Sequence, residues 1–412
     1  MRRANILYRR APSPAIRGLW TRLANRLGTM AAAGLIAACG TLPHKAVPES
    51  LANAAIIPGL AGLRAWGDEA PANLEAYVAD LAGQLRQRHA QAVQSGEPVF
   101  LDHLALSGGG EYGAFGAGLL VGWSARGTRP EFQTVAGVST GAIIAPLVFL
   151  GPRYDPLLTE FFTATPLDGG TGSRFLAVVS GISLPDSNPL ATAIRRSLTQ
   201  EMLDEIGREH RKGRRLLIGT TNLNAGRPVI WDIGTLANSG HPRALDLFHR
   251  ILIASSAIPG VFAPVLFDVE AEGRRYDELH VDGGITTQVF LYPAQIQVGK
   301  LFAGQPFKSR LYVVRNRKLT PDYQETIDGI FSISARAVDT LTRNQGMGDL
   351  YQIHAITQRD GIDYNLAYIP SSFGKRSKGL FDQDYMRDLF DFGRELGKTG
   401  YSWSKSPPGI AD

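Results

Sequence analysis

Residues 133–150 read QTVAGVSTGAIIAPLVFL. The first six residues are mostly apolar and short enough for one strand, and residues 140–150 form an apolar run long enough for a helix. Gly137-Val138-Ser139-Thr140-Gly141 joins them with no room for a loop. A strand that turns sharply into a helix is half of a βαβ unit. The pattern recurs upstream: residues 99–106 read as a strand, residues 107–113 (SGGGEYG) as a glycine turn, and a helix follows to about residue 125. Strands alternating with helices predict a parallel sheet covered on both faces, an α/β fold.

Further elements extend this frame. Paired strands are expected at residues 216–221 and 228–232, a helix at 244–255, and a strand at 311–315. A long helical region follows over about 327–358, then a strand at 365–369 and a last helix at 385–396. Residues 152–212 read as a helical insertion with Pro and Gly interruptions, suited to a lid or cap. Leu74, Tyr77, Val78, Leu81 and Leu85 give helical spacing to residues 71–94, with Pro71 placed for a helix start. Residues 40–70 are rich in Pro, Gly and Ala and are expected to be a tether. The division predicted is 1–38 export signal, 39–97 tether and N-terminal helix, 98–290 catalytic core, and 291–412 the C-terminal part of the same domain.

Apolar residues make up 44% of the 412 and charged residues 20%, the balance of a globular chain, so general disorder is excluded. One cysteine excludes a disulfide framework or a zinc site of several thiols. The net charge of +5 points at first to nucleic acid. Arg2, Arg3, Arg9, Arg10, Arg17, Arg22 and Arg26 account for it. Without those seven, 36 of the 43 Lys and Arg face 38 Asp and Glu, so no nucleic-acid partner is expected.

The basic segment precedes a short apolar run, residues 30–38, that ends at Cys39-Gly40. A basic region, an apolar region and a small-residue exit describe an export signal. Ile36-Ala37-Ala38-Cys39 resembles a bacterial lipobox, in which the cysteine receives lipid after cleavage. Glycine after the cysteine implies the outer membrane. The expectation is an exported lipoprotein held at a membrane surface through Cys39, or otherwise a periplasmic or secreted protein.

Two glycine turns carry the candidate chemistry. Gly108, Gly109 and Gly110 let backbone N–H groups approach a ligand closely, and a helix N-terminus follows. Gly108, Gly110 and Gly113 also satisfy G-x-G-x-x-G, the dinucleotide fingerprint. That fingerprint needs an acid closing the next strand, which here ends Ala136-Gly137-Val138-Ser139. The other use of such a loop is an oxyanion hole for acyl transfer. The G-x-S-x-G around Ser139, flanked by Gly137 and Gly141, sits where a nucleophile elbow belongs. Its plainer use is a helix-capping serine.

A serine nucleophile needs a base. In a Ser…Asp…His order the only histidine well beyond the candidate acid is His354, which reads as a helix interior. The other candidate is Asp282 in Val281-Asp282-Gly283-Gly284, a tight turn at a strand end. A carboxylate is a weak base, so this option demands fixed geometry and a well-built oxyanion hole. Phe161, Phe162, Phe175, Phe262 and Phe267 are candidates for an acyl pocket, and equally for simple core.

Four blocks in order, residues 107–113, 137–141, Ala254-Ser255-Ser256-Ala257-Ile258-Pro259 and 282–284, resemble those of the patatin-like phospholipase family. The resemblance covers roughly residues 98–290. It implies a three-layer α/β/α patatin-like sheet, mostly parallel, with a helical insertion and an N-terminal helix. It also implies hydrolysis of lipid acyl esters by a Ser–Asp dyad through an acyl-enzyme, with no metal or organic cofactor. Carried over, Ser139 is the nucleophile, Asp282 the proton acceptor, and Gly108, Gly109 and Gly110 the oxyanion glycines, with Pro259 beside the site. The chain departs from the family at Ser107, where Asp is common, and at Tyr112, where a basic residue is common. The alternatives are a carboxylesterase triad through His354, a nucleotide-binding protein, and a non-catalytic envelope protein.

Overall fold

The computed structural model describes residues 44–165, 189–321, 323, 325 and 329–410. The expected export signal and Cys39 lie outside the described residues, as does Phe175. The elements are β1 (Arg64–Trp66), α1 (Leu74–Arg88), β2 (Val99–Leu106), α2 (Gly113–Ala125), β3 (Thr134–Val138), α3 (Thr140–Leu150) and α4 (Asp155–Thr163). There follow α5 (Pro189–Ser197), α6 (Gln200–Arg211), β4 (Arg215–Asn222), β5 (Arg227–Asp232), α7 (Ala244–Ser255), β6 (Val265–Ala271) and β7 (Arg274–Asp282). The last are β8 (Phe307–Arg315), α8 (Ile330–Asp360), β9 (Asp363–Tyr368) and α9 (Gln383–Thr399).

One sheet runs β1-β5-β4-β3-β2-β8-β9, with β7 also pairing β4 and β6 pairing β7. The neighbours from β4 through β3, β2 and β8 to β9 are parallel. The β4–β5, β1–β5, β4–β7 and β6–β7 pairs are antiparallel. Side chains alternate across β2: Leu104 and Leu106 join the core under α2, α3, α7 and α9, while Leu101 packs with Leu85 of α1 and Ala105 with Leu350 and Ile353 of α8. Helices therefore cover both faces, and the arrangement is the three-layer, mostly parallel sheet anticipated from the sequence. The eleven residues of α3 are all buried, which is why they are apolar on every side. Close packing of α2 on α9 sets Gly118 and Gly122 against Gly393 and Gly397.

The tether expected over residues 40–70 is corrected by the structure for its described part. Ile57, Leu60 and Leu63 are buried, and β1 extends the sheet at β5. The Lys45 N–H donates to Asp277 (3.0 Å). Arg64 donates to both carboxylate oxygens of buried Glu278, with Nη2 at 2.7 Å from Oε1. Against the cost of burial, the hydrogen bonds from Arg64 and His280 hold the Glu278 carboxyl down at about 2. The Pro, Gly and Ala content suggests a linker, but a few buried apolar side chains and one buried ion pair are enough to fasten the segment. The β6–β7 hairpin was not anticipated either, because its strands carry many charged residues. No helix among the described residues is long and apolar enough to cross a membrane.

Candidate active site

The register of β4 brings the two candidate residues together. β5 occupies one edge of β4 over residues 217–222. The other edge is shared end to end: β3 pairs residues 215–219 and stops at Val138↔Gly219, and β7 takes over at Thr220↔Asp282. Ser139 follows Val138, so it emerges beside Asp282. The Ser139 hydroxyl donates to Asp282 Oδ2 at 2.6 Å, and both residues are buried.

Ser139 holds φ 55° and ψ −124°, a backbone conformation that costs a non-glycine residue energy. The elbow tolerates it because its flanks are glycine. A Cβ on Gly137 would strike the Gly141 carbonyl, and one on Gly141 the Leu106 carbonyl. Ser139 thereby stands at the N-terminus of α3, where the helix dipole favours negative charge.

The 254–259 block secures both partners. The Ser255 hydroxyl accepts the Ser139 N–H (2.9 Å) and donates to the Gly219 carbonyl (2.6 Å). The Ala257 carbonyl accepts the Asp282 N–H (3.0 Å). Asp282 Oδ1 accepts the Gly284 N–H (2.7 Å), and a Cβ on Gly283 would strike the Gly219 carbonyl. Burial pushes the Asp282 carboxyl up to about 6, against the pull of its bonds from Ser139 and Gly284. A carboxylate near neutrality is a far better proton acceptor than one in water.

The glycine loop is held by Ser107 and by two residues the sequence did not single out, Asn316 and Gln288. The Ser107 hydroxyl donates to the Gly108 carbonyl (2.7 Å) and accepts the Asn316 N–H (2.8 Å). The Gly108–Gly109 peptide is trans, so fixing its carbonyl on one side turns the Gly109 N–H to the other. Gly108 departs from expectation. Its own N–H donates to the Gln288 carbonyl (3.0 Å) and is spent. The N–H groups of Gly109 and Gly110 donate to no acceptor among the described residues, and Gly110 takes φ 58°. Gln288 also donates from Nε2 to the Gly284 carbonyl (2.7 Å), linking this loop to the Asp282 turn. At the place where a basic residue is common, Tyr112 lies under the Arg317 guanidinium (5.2 Å).

An apolar pocket opens beside Ser139 and Gly110, lined by Ile143, Phe161, Phe162, Phe262, Phe381 and Met386 among others. Its cavity is about 20 Å³, room for one water. Phe161, Phe162 and Phe262 are where the sequence suggested. Phe267 is not: it packs in the core against Trp231 and His280, each 4.9 Å between ring centres. Pro259 is exposed, and Ser256 and Ile258 line the wall instead. Phe381 and Met386 come from the C-terminal third, for which the motifs gave no role. Phe381 holds φ 57°. His354 of α8 pairs with Gln358 (3.4 Å) and meets Tyr364 of β9 edge-on (5.2 Å), whereas the Ser139 hydroxyl is paired with Asp282.

Residues 104–294 match the family of patatin-like phospholipases. A second match, to a family described as phage-related protein, covers residues 4–57. No curated protein matches the chain. Among solved structures, VipD from Legionella pneumophila shares 12% identity, over 74% of this chain and 67% of that one, with a TM-score of 0.34. ExoU in complex with SpcU, from the type III secretion system of Pseudomonas aeruginosa, gives 11%, 73% and 52%, and 0.31. Human GIVD cytosolic phospholipase A2 gives 9%, 75% and 55%, and 0.36. The chain thus spans about half the length of the last two.

Proposed function

We propose, for a chain whose residues 104–294 match the patatin-like phospholipases, that it hydrolyses acyl esters of lipids with a Ser139–Asp282 dyad. The observation that carries this is the buried 2.6 Å hydrogen bond between the two side chains. Ser139 Oγ attacks the ester carbonyl carbon while its proton passes to Asp282 Oδ2. The N–H groups of Gly109 and Gly110 receive the oxyanion. The tetrahedral species collapses, the C–O bond of the ester breaks, and the leaving alkoxide takes the proton from Asp282. Water then attacks the acyl-enzyme and gives its proton to Asp282. Ser139 regains a proton as the fatty acid leaves. The pocket lined by Phe161, Phe162, Phe262 and Phe381 takes the acyl chain. Those walls are apolar, which favours an acyl chain over a dinucleotide.

The test is turnover of a p-nitrophenyl acyl ester and labelling by a fluorophosphonate. Wild type should hydrolyse the ester and carry the label on Ser139. Ser139→Ala should do neither while unfolding at a similar temperature. Turnover retained in Ser139→Ala overturns the proposal.

Export and lipid anchoring through Cys39 belong to the same proposal, supported by the basic and apolar runs that precede it. A Cys39→Ala protein that still fractionates with membranes as wild type does removes the anchor.

A further inference from the structure

Contacts tie two further elements to the glycine loop, through Tyr112 and Glu111. Arg317, just past β8, lies over Tyr112 and donates to Asp339 of α8 at 2.5 Å. Glu111 accepts the Asp382 N–H at 3.3 Å and so holds the segment leading from β9 to α9.

Helix α8 buries Leu350, Ile353 and Ile356 along its second half. Upstream, Ile333 is 55% exposed, Val338 49% and Leu341 68%. Together with exposed Ala337 they fall within one arc of the helix. Residues 330–345 run for roughly 24 Å at 1.5 Å per residue. Arg336 and Arg343 lie on the same stretch, with Asp339 held by Arg317 and Arg336.

The second element is residues 374–381, GKRSKGLF, with three cations and no acid in the stretch. Leu380 is 59% exposed. Its neighbour Phe381 turns inward and lines the acyl pocket. Lys375 pairs with Asp388 at 2.6 Å, and the Lys378 N–H donates to Asp382. Exposed apolar side chains thus adjoin the pocket wall directly, with basic residues among them.

We infer that this end of the sheet docks on an anionic phospholipid bilayer. Leu380 and the Ile333–Leu341 stripe enter the head-group region, and Arg376 and Lys378 face lipid phosphates. Apolar groups flanked by Lys and Arg suit that boundary. A water-soluble ester would need neither. The inference rests on the lipid hydrolase proposal only for naming the pocket; docking itself requires no turnover.

The test uses the full chain with Cys39→Ser, so that one introduced cysteine carries an environment-sensitive fluorophore. Leu341→Cys, Leu380→Cys and, as a control at the opposite end of the sheet, Phe100→Cys are labelled. Vesicles of phosphatidylcholine with 30% phosphatidylglycerol are added, and vesicles of phosphatidylcholine alone serve as comparison. The labels at 341 and 380 should shift to the blue on anionic vesicles and the label at 100 should not. Arg376→Glu with Lys378→Glu should reduce the affinity behind that shift at least about tenfold. The basic N-terminal segment is present in every protein, so it does not move one label alone. No shift at 341 and 380 overturns the inference, whether or not the protein sediments with vesicles. An equal shift on phosphatidylcholine overturns the choice of an anionic surface. A shift that grows with protein concentration and without vesicles assigns the face to a second copy of the chain. The same labels in Ser139→Ala separate the two proposals: a shift there without any wild-type turnover indicts the hydrolase reading and leaves docking standing.

Discussion

Ser139 and Asp282 are 143 positions apart in the chain and 2.6 Å apart in space, because the strands that deliver them share one edge of β4. The hydrogen bond runs from a hydroxyl to a carboxylate in a buried site, with no histidine between them. Its strength depends on the carboxylate being ionised, and that sets the behaviour with pH.

Burial raises the Asp282 carboxyl to about 6, so kcat/KM should rise with pH through about 6 and level off above it. A profile flat between pH 5 and 8 would remove Asp282 as the base. The raised value also means that the ionised form is less favourable in the fold than in the unfolded chain. The carboxylate therefore costs stability above pH 6, on the order of 3 kcal/mol. The penalty fades as pH falls from 6 toward 4. Asp282→Asn keeps an acceptor for the Gly284 N–H and can donate to the Ser139 hydroxyl. It should be inactive and should unfold at a higher temperature than wild type at pH 7.

The φ of 55° at Ser139 predicts a difference between two inactive variants. Ser139→Gly should be more stable than Ser139→Ala by about 1 kcal/mol, since alanine keeps the strain and glycine removes it. Equal denaturation midpoints would show that the elbow stores none.

Ser255 touches no part of the proposed substrate pocket, yet it fixes the elbow backbone to β4. Ser255→Ala leaves the Ser139 N–H and the Gly219 carbonyl without their partner, at a cost of about 1–3 kcal/mol. As a positioning residue it should lower kcat with KM little changed. A fall in stability with kcat intact would make its role structural only.

A Cβ at position 109 would sit 2.5 Å from the Asn316 carbonyl oxygen. Gly109→Ala must therefore displace the loop, and turnover should fall by about a hundredfold or more. Unchanged kcat would exclude the Gly109 N–H from oxyanion binding.

The cavity of about 20 Å³ cannot hold an acyl chain until side chains move. Phe381→Ala removes one wall, so the preferred p-nitrophenyl ester should shift toward longer chains. An unaltered preference would place the acyl group elsewhere.

Much of this was legible in the sequence because the elements near the dyad are locally determined. Residues 99–150 contain two apolar strands, two glycine turns and two apolar helices, and local pattern suffices to place them. Ser139 and Asp282 were legible for the same reason, each lying in a turn that only glycines permit. What escaped was everything set by long-range register. Asn316 is an ordinary polar residue until β8 lies beside β2, and Gln288 is one until the turn after β7 is carried to the glycine loop. Phe381 is one aromatic among many until α9 docks. Gly108 looked equivalent to its two neighbours, and only the carbonyl of Gln288 distinguishes it. The function of Ser255 depends on two strands it does not belong to.

The segment over residues 44–66 grips β7 from outside, through Asp277 and Glu278, five and four positions before Asp282. None of its atoms approaches the reacting centre. A cut anywhere between Lys45 and Arg64 would nevertheless loosen the strand that presents Asp282. A protease could thus act on the proposed dyad at a distance, leaving Ser139 in place while Asp282 is released from it.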